Sequence, residues 1–194
     1  MRNALLAIDL QNDFVQGGSL AVPGGTQVAA QIARHVRHFK TEYQLVVGTR
    51  DYHEDPTDHF SATPDFVNTW PPHCVIGTSG ASFFPAIQNL VREKLIGVVV
   101  SKGRHAAAYS GFEALDPRGH SLVDVLKEAR IDHVDICGIA TDYCVRATAL
   151  DARKNAFATR ILVNLCAAVN EATGLQAIEE MRTAGCAIQT ATAP

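Results

Sequence analysis

Short, almost continuous apolar runs recur along the chain, and they restrict the fold more than any other feature. Leu5-Leu6-Ala7-Ile8, Leu45-Val46-Val47 and Val98-Val99-Val100 are bounded by polar or turn-forming residues. Val134 and Ile136 alternate with polar neighbours over Asp132–Cys137, and Ile161 and Val163 mark a further strand over Arg160–Leu165. Near-continuous runs of this length suit strands buried on both faces, as in parallel sheets. Helical spacing follows most of them. Val28, Ala29, Ile32, Val36 and Phe39 form a stripe beginning after Thr26. Leu122, Val125, Leu126 and Ala129 form another, opened by Ser121 with Asp124 in a capping box. Leu175, Ile178 and Met181 mark a helix over Thr173–Thr183, ahead of a weaker strand over Cys186–Thr190. The expected fold is α/β: a three-layer, doubly wound parallel sheet of about six strands flanked by helices.

At 194 residues the chain is long enough for one domain with a sizeable core, and no linker or repeat divides it. Its net charge of −3, without a basic run, gives no electrostatic case for nucleic acid or an anionic membrane. Apolar runs are too short for a transmembrane helix, and Asp9 arrives too early for a signal peptide. The five scattered cysteines, Cys74, Cys137, Cys144, Cys166 and Cys186, contain no CxxC and read as reduced thiols in a cytoplasmic protein.

The chemistry gathers where strands end. Asp9 closes the first strand, Asp51 follows the second and Lys102 the third. After the fourth comes Gly138-Ile139-Ala140-Thr141-Asp142-Tyr143-Cys144-Val145-Arg146. Val145, Thr148, Ala149, Ala152 and Ala156 then continue at helical spacing, with Asp142 as N-cap. That places Cys144 in the first helical turn, where free N–H groups and the helix dipole favour thiolate. Taken alone, a cysteine there is also an ordinary small core residue. In a parallel sheet, however, strand ends of this kind share one edge. Asp9, Lys102 and Cys144 together would make an activated nucleophile with an adjacent acid/base, and backbone N–H groups of Ala140 and Cys144 would bind an oxyanion.

A second cluster lies in the long segment 51–84, which has no clear secondary structure. Asp51 and His53 stand two apart, and His59 and His73 follow in the same loop system. Three imidazoles and a carboxylate suit zinc, iron(II) or manganese(II), although histidines also cap turns in polar loops. His35 and His38 read as solvated surface.

Several of these segments occur together in one known family. Ala7 to Phe14, Gly17 to Leu20, Asp51-Tyr52-His53, Asp58-His59-Phe60, Trp70-Pro71-Pro72-His73-Cys74, Lys102-Gly103, Tyr109 to Phe112 and Gly138 to Arg146 resemble the nicotinamidase/pyrazinamidase family of isochorismatase-like cysteine hydrolases. The resemblance spans nearly the whole chain. It implies hydrolysis of nicotinamide, and of pyrazinamide, in pyridine nucleotide salvage, by a monomer or small homo-oligomer. It implies Asp9 as acid/base, Lys102 as polarising residue and Cys144 as nucleophile. It also implies one divalent ion (Zn2+, Fe2+ or Mn2+) on Asp51, His53, His59 and His73, orienting the substrate through its ring nitrogen. Phe14, Trp70, Tyr109, Ile139 and Ala140 would contact the substrate, and a cis peptide would join Ile139 to Ala140. Tyr143 departs from the histidine that some relatives carry before the nucleophile. The rival readings are a hydrolase of the same fold acting on another small amide or carbamoyl compound, a metal-binding or thiol-sensing protein without turnover, and a purely structural α/β domain.

Overall fold

A computed structural model describes residues 2–192. Its centre is a six-stranded sheet in the order β3-β2-β1-β4-β5-β6, with every neighbouring pair parallel. The strands are β1 (Asn3–Ile8), β2 (Leu45–Asp51), β3 (Val98–Lys102), β4 (His133–Ile139), β5 (Ala158–Ala167) and β6 (Ala187–Gln189). The helices are α1 (Gly25–Phe39), α2 (Pro85–Arg92), α3 (Leu122–Glu128), α4 (Arg146–Lys154) and α5 (Glu171–Thr183). The expected α/β class and three-layer, doubly wound architecture are therefore present.

Both sheet faces are covered, which explains the continuous apolar strands. In β1, Leu5 and Ala7 pack with α1 and α2 residues such as Ile32 and Leu90. Leu6 and Ile8 face the other way, among Leu126 of α3, Ala149 of α4 and Met181 of α5. Ser121 caps α3 in a capping box with Asp124, as its sequence indicates. Helix α2 was not apparent in the sequence. It is two turns long and starts at Pro85 in the first helical turn, a position whose N–H needs no helical partner.

Two departures concern polar residues. His35 is buried, not solvated: its Nε2 lies 3.1 Å from the Tyr43 hydroxyl, which donates to Asp135. Asp135 is held in turn by Arg160 and His133, so the amino-terminal end of β4 carries a closed polar network. Asp142 is not the N-cap of the helix after β4; Ala140 occupies that position without a side-chain bond. The Asp142 carboxylate instead accepts from Val169 N, Asn170 N and the Thr173 hydroxyl, tying this turn to the start of α5.

The chain leaves β1 toward β2 and β3 on one side and β4 toward β5 and β6 on the other. Connections from the ends of β1 and β4 therefore leave in opposite directions, and open α/β sheets bind ligands in the crevice at such a point.

Candidate active site

Backbone register delivers the charged residues. Asp51 and Lys102 are the paired last residues of β2 and β3. Asp9 follows β1 with a φ of 49°, a left-handed conformation that aspartate tolerates better than most side chains. Gly138 near the end of β4 has a φ of 127°, and a Cβ there would sit 2.3 Å from the Ile8 carbonyl oxygen. Only glycine lets β4 pass this close to β1 before the chain turns toward Cys144. The peptide Ile139–Ala140 is cis. Residues Thr141–Val145 form one wide helical turn that leads into α4 and holds Cys144.

Lys102 occupies the centre. Its ammonium lies 2.9 Å from Asp9 Oδ2, donates to Asp51 Oδ1, donates to the Ala108 carbonyl at 3.2 Å and reaches 3.6 Å from Cys144 Sγ. Asp9 is fully buried and accepts at Oδ1 from the Thr49 hydroxyl at 2.6 Å. Gln11 fixes Asp51 as a strand neighbour would: Nε2 donates to its carbonyl and Oε1 accepts from its N–H, each at 2.8 Å. Gln11 and Thr49 were not singled out in the sequence. The available signals were a buried-strand position carrying a hydroxyl and an amide two residues beyond Asp9.

Burial sets the protonation of the cluster. It raises the Asp9 carboxyl, and the nearby Asp51 charge adds to this, against the pull of Lys102. Burial also opposes the charge on Asp51, but Lys102 and the histidines overcome it and hold this carboxyl below its usual range. Lys102 stays protonated despite burial because two carboxylates face it. For Cys144, burial outweighs Lys102 and pushes the thiol well above its ordinary value. The helix-dipole preference for thiolate is thus opposed by burial, with the Lys102 charge shared between two carboxylates.

Beside this cluster, His53, His59 and His73 each bring a ring nitrogen within 4.8 Å of the others. His73 Nδ1 donates to the Pro71 carbonyl at 2.8 Å, and His53 Nδ1 to that of Gly103. Both Nε2 atoms then face Asp51 Oδ2 at 3.8 Å. Backbone carbonyls orienting the far nitrogen are the usual support of a metal-bound imidazole. His53 Nε2 and His59 Nδ1 are buried and have no hydrogen-bond partner among the described residues. Burial also lowers His59 to about 4 and lowers His73, so these imidazoles are neutral and offer lone pairs. The donor set fits a divalent metal ion.

Between the two clusters lies a cleft lined by Phe14, Trp70, His73, Tyr109, Ile139 and Cys144, with Ala140, Tyr143, Leu20, Val22 and Val169 completing its walls. Trp70 Nε1 donates to the Tyr109 hydroxyl at 3.1 Å. A mostly apolar slot lined by a thiol and by imidazoles suits a small aromatic ring carrying one polar group.

Residues 3–193 match the isochorismatase domain family. A Mycobacterium tuberculosis nicotinamidase/pyrazinamidase is 50% identical over 181 residues, covering 93% of this chain and 95% of the relative. The crystal structure of a Pyrococcus horikoshii pyrazinamidase in complex with zinc superposes with a TM-score of 0.82 at 35% identity, covering 98% of this chain and all of the other. An L. infantum protein crystallised with nicotinate gives 0.83 at 32% identity, over 97% of this chain and 92% of its own.

Proposed function

The chain belongs to the isochorismatase family, and from that premise we propose that it hydrolyses nicotinamide, and pyrazinamide, to the corresponding acid and ammonia. The observation that carries this reading is the Lys102 ammonium lying between Asp9 and the Cys144 sulfur at the foot of an aromatic slot. The names of the relatives support the substrate.

The steps follow from the protonation of the cluster. Cys144 Sγ attacks the amide carbonyl carbon as its proton passes to the Asp9 carboxylate, whose raised affinity for a proton suits a general base. The N–H groups of Ala140 and Cys144 receive the charge on the carbonyl oxygen. Asp9 then gives the proton to the departing nitrogen, the C–N bond breaks, and ammonia leaves a thioester on Cys144. Water attacks the thioester carbon as Asp9 takes one of its protons. The C–S bond breaks, the sulfur regains a proton from Asp9, and the carboxylic acid departs. Lys102 keeps Asp9 ionised between these transfers and remains charged throughout.

Asp51, His53, His59 and His73 would hold a zinc, iron(II) or manganese(II) ion, which supplies a Lewis-acid contact that orients the pyridine ring through its nitrogen. Phe14, Trp70 and Tyr109 bracket the ring, while Ile139 and Ala140 line the side facing the amide. We read residues 1–194 as one hydrolase domain with segment 51–84 as its metal-binding insertion, acting in cytoplasmic NAD salvage as a monomer or small homo-oligomer. No helix among the described residues is long and apolar enough to cross a membrane.

The test is ammonia release from nicotinamide by the protein as isolated, after chelation, and as Cys144→Ala. Loss in both treatments is expected. Turnover surviving chelation would remove the metal role. No turnover under any metal loading would move the assignment to another small amide, which a substrate panel would identify.

A further inference from the structure

Tyr143 belongs to two hollows at once. Its ring lines the catalytic slot, and with Tyr109 it also lines an outer groove walled by Asn68, Arg146, Thr173, Gln176 and Glu180. The slot is built mainly from apolar side chains, whereas the groove mixes apolar residues such as Val67 and Ala177 with charged ones, Arg146 Nη1 donating to Glu180 at 2.8 Å. The two linings have Tyr109 and Tyr143 in common, so these two rings form the partition.

Tyr143 is held in this place from several sides. Its ring meets Trp70 edge-on with centroids 5.0 Å apart and an interplanar angle of 87°. It lies tilted by 30° against Tyr109 at 5.9 Å. Its hydroxyl donates to the Phe66 carbonyl at 3.4 Å. The backbone leaves it little choice of position, because Asp142 anchors the turn on one side and buried Cys144 follows on the other.

We propose that Tyr143 is the specificity-determining partition of the slot: its ring limits the substrate to small, unsubstituted rings, and the groove beyond is the space a ring substituent would need. This rests on the reading that the slot takes a pyridine carboxamide. The ring, not the hydroxyl, forms the partition, because the hydroxyl points away to Phe66. A hydrophobic wall discriminates by exclusion, and each methylene it rejects is worth roughly 10–200-fold in kcat/KM.

The experiment compares wild type, Tyr143→Phe and Tyr143→Ala on nicotinamide and on a set of its analogues bearing a propyl group at each open ring carbon in turn. The ratio of kcat/KM for analogue over parent cancels any general loss of activity. For at least one analogue that ratio should rise roughly tenfold or more in Tyr143→Ala and stay near wild type in Tyr143→Phe. Trp70, the single tryptophan, is 3% exposed and gives a readout that does not depend on turnover. Acrylamide should quench its fluorescence more strongly in Tyr143→Ala alone. An unchanged ratio across the set, unchanged quenching in Tyr143→Ala, or an equal effect in Tyr143→Phe would overturn the partition. If no form hydrolyses nicotinamide, the functional reading fails separately. The partition is then judged by binding followed on Trp70 fluorescence: propyl analogues gaining affinity only in Tyr143→Ala support it, and equal affinities across the three forms refute it.

Discussion

Lys102 stands between two buried carboxylates, and that arrangement determines what single substitutions do. Lys102→Met would leave Asp9 and Asp51 buried without their counter-charge. Breaking a buried pair from one side costs about 3–5 kcal/mol, so urea denaturation should show a loss of that order together with loss of ammonia release. Thr49 acts more subtly. Its hydroxyl donates to Asp9 and lowers a carboxyl that burial raises. The acid limb of the kcat/KM–pH profile should therefore lie above 3.8, the ordinary value for aspartate, and move higher still in Thr49→Val. Asp9, Asp51 and Lys102 were legible in the sequence because each ends an apolar run. Gln11 and Thr49 were not, because their partners come from other strands and loops. The upward pull on the Cys144 thiol was also missed, because it comes first from burial, which only the packed site reveals.

At the scale of elements, the turn after β4 shows what a local pattern can and cannot specify. Its place between strand and helix could be read from spacing, and Cys144 does lie in the first helical turn. The role of Asp142 could not, since its carboxylate bonds Val169, Asn170 and Thr173, which lie 27 to 31 residues further along. Asp142→Ala would leave these donors without their acceptor and should cost about 1–3 kcal/mol in chemical denaturation. Because the same turn presents Cys144, kcat should fall with it while pyridine carboxamide binding changes less. Segment 51–84 was correctly seen as irregular, since its order comes from isolated bridges such as His53 with Val75 and Phe60 with Trp70. Helix α2 escaped because two turns give too few apolar positions to establish a period, although Pro85 marks its start.

Over the whole molecule, strands that are buried on both faces need helices on each side, and this is why alternating strands and helices were enough to foresee three layers. Its stability should nonetheless depend on pH through the histidine cluster. In the metal-free chain His59 binds its proton only near pH 4, whereas an unfolded histidine does so near 6.5. Between those values the unfolded chain holds more protons, so stability rises with pH and is lost as pH falls from about 6.5 toward 4. His73, also lowered, adds to the same loss. Thermal unfolding of the metal-free protein across this range should show a falling Tm on acidification. Metal bound only by the folded state should raise Tm at neutral pH, by about 2.7 kcal/mol of stability when the free ion is at 100 times its Kd. Transfer of the substrate acyl group to Cys144 can be seen by mass analysis of the protein quenched in acid during nicotinamide turnover. A pyridine-carbonyl adduct is expected on the peptide containing Cys144 and absent in Cys144→Ala. Turnover by the wild-type protein with no adduct under rapid quench, or undiminished turnover by Cys144→Ala, would contradict it.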